Sequence, residues 1–128
     1  MILGVDLGEK TTGLATSDSL LASPYKTISH KNIEEAQKQV IRIIDQEKID
    51  TVVVGFVEGK IKPMFTNFAK KLQHTLPNIK VVLWDETLTS RQATETMVKL
   101  NVAKTKRSQR QHEIAAAIIL QSYLDSSD

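Results

Sequence analysis

Three acids and one imidazole stand where chemistry can be done. Asp6 closes the apolar run Ile2-Leu3-Gly4-Val5 and is followed by Leu7-Gly8. A carboxylate in an apolar strand is costly unless something compensates it. A metal ion is one such partner. The backbone of the turn from Gly8 to Thr12 is another, and the residues alone leave both open. Asp85-Glu86 closes a second apolar run, Val81 to Trp84. Alternation along a regular strand sends these two side chains to opposite faces, so only one can meet Asp6. The other has an ordinary use in capping the turn that follows. Both stand at a strand's carboxyl end, where open α/β sheets place their sites. His112-Glu113 opens the last helix. Glu113 suits the helix dipole there whatever else it does, and a lone His112 is more often a surface residue. Asp18 reads as a turn former, and Glu58 is open between structure and site.

Charge distribution adds a second feature. Val98 to His112 contains no acid, yet Lys99, Lys104, Lys106, Arg107 and Arg110 all fall there. Such a run can follow a phosphate backbone or be a solvated loop. Lys60 and Lys62 form a smaller basic spot. The formal net charge is only +2 and aromatic residues are 5% of the chain, so base stacking is not the expected mode of binding.

The remaining composition excludes several chemistries. The absence of cysteine removes disulfides, thiol nucleophiles and thiolate-held metals. There is no phosphate loop, no dinucleotide-binding glycine motif and no Gly-x-Ser-x-Gly. No apolar run approaches the roughly 20 residues of a membrane span, and no signal pattern opens the chain. The expectation is one domain over residues 1–128, cytoplasmic, with no membrane partner.

The elements that must position these residues follow from periodicity. Ile2 to Asp6 and Gly13 to Asp18 read as strands of a hairpin, with a weaker third strand from Tyr25 to Ser29. Asn32 and Glu35 mark a helix start, and Ile33, Ala36, Val40, Ile43 and Ile44 its inner face. Thr51 to Gly55 reads as a strand buried on both faces. Pro63 opens a second helix with Phe65, Phe68, Ala69, Leu72 and Leu76 inward, and Pro77 stops it. After the strand Lys80 to Trp84, a helix from about Ser90 turns Ala93, Met97 and Leu100 inward. The last helix, Gln111 to Leu124, is apolar on nearly every face and so must lie between layers. The order β-β-β-α-β-α-β-α-α predicts an α/β fold. Its mixed five-stranded sheet joins a three-strand antiparallel meander to two parallel strands, with helices on both faces.

Read together, the segments resemble the YqgF-type family of Holliday-junction-resolvase-like proteins, described as pre-16S rRNA nucleases. The resemblance rests on Ile2 to Gly8 with Gly13 to Asp18, on Val52 to Gly55, on Asp85 to Ser90 with Ala93, and on Ala115 to Leu124. These occur in order across essentially the whole chain. The resemblance implies an RNase H-like fold and a phosphodiesterase site using Mg²⁺ or Mn²⁺. The family's first-strand acid falls on Asp6 and its Asp-Glu pair on Asp85 and Glu86, with Glu86 favoured. Its third acid falls on His112, which is a departure. Mg²⁺ prefers hard oxygen ligands, and imidazole suits softer ions. Glu113 could substitute, but it lies about 100° around the helix from His112. Gly55 to Lys60 also departs from the family's usual Gly-Leu-Pro-Leu-Asn-type loop, and Thr87 stands where an arginine is usual.

The expected activity is that of a metal-dependent endonuclease. Asp6, Glu86 and His112 would be catalytic, and Asp6, Glu86 and Asp85 would hold metal. Lys99, Lys104, Lys106, Arg107 and Arg110 would hold nucleic acid. The resemblance points to pre-rRNA as substrate, with branched DNA as the alternative. A binder that has lost catalysis and a partner-binding domain are rivals from other classes. A sugar-kinase or actin-like ATPase would need a second domain for which 128 residues leave no room. Monomer and homodimer both remain open.

Overall fold

The central strands are buried on both faces, and alternate side chains along them meet different helices. In the computed structural model, which describes residues 1–101 and 110–126, the strands are β1 (Ile2–Asp6), β2 (Thr11–Ser17), β3 (Ser23–Ser29), β4 (Thr51–Phe56) and β5 (Lys80–Asp85). The helices are α1 (Ile33–Gln46), α2 (Lys62–Thr75), α3 (Arg91–Asn101) and α4 (Gln111–Ser126), with a short 3₁₀ turn at Glu86–Leu88. The sheet order is β3-β2-β1-β4-β5. The β1–β2 and β2–β3 pairs are antiparallel, and β1–β4 and β4–β5 are parallel. This is the mixed five-stranded sheet expected from the sequence. Lys104, Lys106 and Arg107 lie outside the described residues.

Leu3, Val5, Leu14, Val52 and Val54 point to one face and pack with Val40 and Ile44 of α1 and Phe68 and Leu72 of α2. Ala15 and Val53 point to the other, with Met97 of α3 and Ala116, Ala117 and Leu120 of α4. Helix α4 is therefore enclosed between the sheet and α3, which is why it carries no polar stripe. The expected Asn32 cap is present, and Ser90 caps α3 as well. The Asn32 side chain accepts from Glu35 N at 2.8 Å, and Ser90 Oγ accepts from Ala93 N at 2.9 Å.

The structure departs from expectation in three places. Strand β2 begins at Thr11 rather than Gly13, because Thr11 and Thr12 pair with Ser29 and Ile28 of β3 beyond the end of β1. Strand β3 begins at Ser23 and includes Pro24. It is an edge strand, so the missing N–H costs no ladder bond, and a register irregularity beside it absorbs the ring. Leu100 was expected inward, but it is 45% exposed. It shares Ala93's helical phase, but the cover over α3 among the described residues ends at Met97.

Close approach of α4 requires glycine. A Cβ on Gly4 would stand 2.8 Å from Leu120 Cβ and 3.0 Å from Ala116 O. A Cβ on Gly13 would overlap the His112 carbonyl oxygen. Gly13→Ala must push backbone rather than a flexible side chain. We expect it to lose about 3 kcal/mol or more in chemical denaturation, and an unchanged midpoint would contradict this packing.

Candidate active site

Asp6 is the last residue of β1 and lies opposite Gly13 of β2, which in turn lies opposite Thr27 of β3. On the other side, Val5 pairs with Val54, so Gly55 is one step further along the parallel register. Gly55, Asp6, Gly13 and Thr27 thus form a row across four strands on the face that α4 covers. The two glycines beside Asp6 leave room that side chains would fill. Over Gly13 lies the first turn of α4. At Gly55 a Cβ would meet Ile119 Cδ1 at 2.7 Å and Glu86 Cγ at 3.3 Å.

Glu86 reaches this row because it follows Trp84 by two residues. Trp84 pairs with Gly55 and packs on the α4 side, so alternation sends Glu86 to the same face as the backbone enters the 3₁₀ turn. Asp85 caps that turn, its Oδ1 accepting from Thr87 N at 2.9 Å and Thr87 Oγ1 at 2.8 Å. Burial pushes the Asp6 carboxyl up to about 6. Burial also raises Glu86, and the charges of Asp6 and Asp85 raise it further. No ion pair to Asp6 or Glu86 forms among the described residues. Two desolvated carboxylates lacking a cation fit a hard divalent ion, which would supply the missing positive charge.

The other candidates take different places. His112 reaches the row with its backbone, while its side chain is exposed. Among the described residues no three His, Asp or Glu side chains converge closely enough to hold a metal. Glu113 is buried and pairs with Arg110 and Thr27. Glu58 pairs with Lys62 at 2.9 Å in solvent. Asp18 is exposed and accepts from Ser19 Oγ. Lys99 and Lys60 are exposed. Surface clefts of about 440 and 500 Å³ run along α1 and α2, and no candidate residue lines either.

Two supports were not foreseen from the sequence. Thr12 Oγ1 and His30 Nε2 hydrogen-bond at 2.8 Å in the interior, and Gly8 N donates to Thr12 Oγ1 at 3.5 Å. His30 N also donates to Lys10 O at 2.9 Å. The hairpin that follows Asp6 is thereby tied to the end of β3. Glycine inside two strand patterns was the available signal for the row itself, since it marks close backbone approach.

The sheet order is that of the RNase H-like fold, which solved Holliday junction resolvases share. Thermus thermophilus RuvC in complex with Holliday junction substrate superimposes with a TM-score of 0.67 over 98% of this chain and 94% of that one, at 10% identity. The fowlpox virus Holliday junction resolvase gives 0.59 over 98% and 97%, at 16% identity. The chain belongs to the RuvX family, described as Holliday junction resolvase, whose model matches residues 1–126. Relatives named "Putative pre-16S rRNA nuclease" include one from Geobacillus sp. (strain WCH70), 40% identical over 98% of this chain and 97% of its own. Another, from Clostridium botulinum (strain Eklund 17B / Type B), is 37% identical over 97% and 96%. The family makes this chain a phosphodiester hydrolase. No described helix is long and apolar enough to cross a membrane.

The raised Asp6 carboxyl has a consequence for stability. Below about pH 4 Asp6 is protonated in both folded and unfolded chains. Between about 4 and 6 the unfolded chain ionises first, so stability falls as pH rises through the folded value. Asp6→Asn is therefore expected to raise stability by about 2–3 kcal/mol at pH 7.5 in chelator, and by little at pH 4. Denaturation at the two pH values reads this directly, and a destabilised variant at pH 7.5 would refute it.

Proposed function

We propose that this chain is a single-unit, divalent-metal-dependent endonuclease that cuts near the 5′ end of pre-16S rRNA. The observation that carries the reading is the Asp6–Glu86 pair, two desolvated carboxylates, the second raised further by the first, held beside glycines at the ends of β1 and β5. The substrate is taken from the names of the relatives. Asp6 and Glu86 would hold the ion, with Asp85 adjoining through its turn. A bound divalent ion would activate water and neutralise charge on the reacting phosphate. The chain's own contribution is to fix Asp6 between two rigid strands and to keep Glu86 beside it. His112, at the start of α4, would complete the site or carry a proton. Lys99, Lys104, Lys106, Arg107 and Arg110 would hold the phosphate backbone. Mg²⁺ suits the carboxylates, whereas an imidazole in the set favours Mn²⁺. Such a function belongs to the cytoplasm.

Branched DNA is the second reading. It rests on the likeness to a RuvC solved with a Holliday junction and on the family's description. Labelled precursor rRNA ends and a four-way DNA junction, incubated side by side with Mg²⁺ or Mn²⁺, separate the two. We expect precursor cleavage that falls by about 10³-fold or more in Asp6→Asn and in Glu86→Gln, which is about 4 kcal/mol of barrier. Preferential junction cleavage would favour DNA. Binding without cleavage under either ion would mean a protein that has lost catalysis. His112→Asp should retain or raise Mg²⁺-supported cleavage. A large loss in a folded His112→Asp protein would count against a ligand role at that position.

A further inference from the structure

We propose that Glu113 is a positioning residue for substrate. It holds the Arg110 guanidinium on the β3 side of Asp6, so that the free guanidinium nitrogens meet a backbone phosphate of the bound polymer. The proposal deepens the nuclease reading and rests on it.

The row of residues across the sheet gives the placement. Thr27 lies two strands from Asp6, roughly 10 Å at ordinary strand spacing. Glu86 approaches from the opposite side, beyond Gly55. Glu113 Oε2 accepts from Thr27 Oγ1 at 3.4 Å, and its other oxygen, Oε1, accepts from Arg110 Nε. One buried acid thus ties the cation to the third strand of the row. A polymer crossing the row would meet the acids at one point and the guanidinium a short way along its backbone.

Helix capping does not explain the arginine. Ile114 N donates to Arg110 O at 2.9 Å, so Arg110 occupies the cap position at the start of α4. Serine, threonine, asparagine and aspartate stabilise that position, and a cation opposes the helix dipole there. What Arg110 offers α4 is the ion pair that compensates buried Glu113, and that pair uses Nε alone, leaving the rest of the guanidinium for another partner. Glu113 is no free acid either. Its side chain is 10% exposed, against 26% for Arg110, so the carboxylate is enclosed while part of the guanidinium faces solvent. Bonding through Nε leaves the four N–H groups of the two Nη atoms, a fork that matches phosphate.

The two explanations of Glu113 predict opposite signs. As a simple negative charge near a polyanion, its removal would strengthen binding. As the anchor of Arg110, its removal weakens binding although the net charge rises. The test measures the affinity of a labelled precursor-rRNA fragment by fluorescence anisotropy over a salt series, with Asp6→Asn as parent to prevent turnover. We expect added Glu113→Ala and added Arg110→Ala each to weaken binding about tenfold and lower the salt slope by about one. The double variant should be no weaker than Arg110→Ala alone. Glu113→Gln should recover most of the affinity, because its amide oxygen still accepts from Nε. Thermal melts establish that each variant is folded. If Glu113→Ala does not fold, Arg110→Lys against Glu113→Gln decides, since lysine cannot bond Glu113 and phosphate through one fork and should bind as weakly as alanine. Unchanged or tighter binding by folded Glu113→Ala, or additive losses in the double variant, would overturn the proposal. Failure of the Asp6→Asn parent to bind either the fragment or a four-way junction would instead overturn the nuclease reading beneath it.

Discussion

Helix α4 lies against the sheet at backbone distance, and the remaining geometry depends on that contact. Three strands each give up a side chain to permit it: Gly4 in β1, Gly13 in β2 and Gly55 in β4. Glycine weakens a strand, because it packs nothing and loses more chain entropy on folding. Here that weakness is offset by a helix that buries Ile114, Ala116, Ala117, Ile119 and Leu120 at once. With bulkier residues at these positions α4 would stand off the sheet. Its first turn would then no longer close over the end of β1, and Glu113 would lose its bond to Thr27.

The same contact sets the electrostatics. Asp6 is desolvated by the layer that α4 completes, and Glu86 is raised both by burial and by Asp6. Neither acid stabilises the folded chain at neutral pH. The structure holds them in place by other means, with strand pairing to β2 at Asp6 and to β4 at the adjacent Val5, a capped turn under Glu86 and the Thr12–His30 pair behind the hairpin. If Asp6 and Glu86 carry the proposed function, function and stability are opposed at these two carboxylates and aligned at the hydrogen bonds around them.

The fold was largely legible in the sequence because its signals are local. Asn32 and Ser90 cap helices within three residues, Pro63 opens one, and the valine run of β4 needs two covered faces whatever surrounds it. Asp6 was conspicuous for a similar reason, as a carboxylate at the end of an apolar strand. What could not be read depends on register. Gly13 and Gly55 gain their meaning only once β1 is placed between β2 and β4. Thr12 meets His30 across 18 positions and Thr27 meets Glu113 across 86. No periodicity carries such pairings. Leu100 misled because helical phase says which way a residue points, not whether anything lies above it.

Contacts between α4 and the first three strands join the two ends of the chain. Long-range pairings of this kind close late, since the loop entropy must be met before the contacts form. During synthesis, β1 with Asp6 leaves the ribosome well before the helix that covers it. A growing chain therefore exposes Asp6 to water with an ordinary carboxylate affinity for protons. Its tuned surroundings, and with them both flanks of the candidate site, come into being only when α4 has docked. A nuclease assembled in this order has no formed candidate site until α4 has been made.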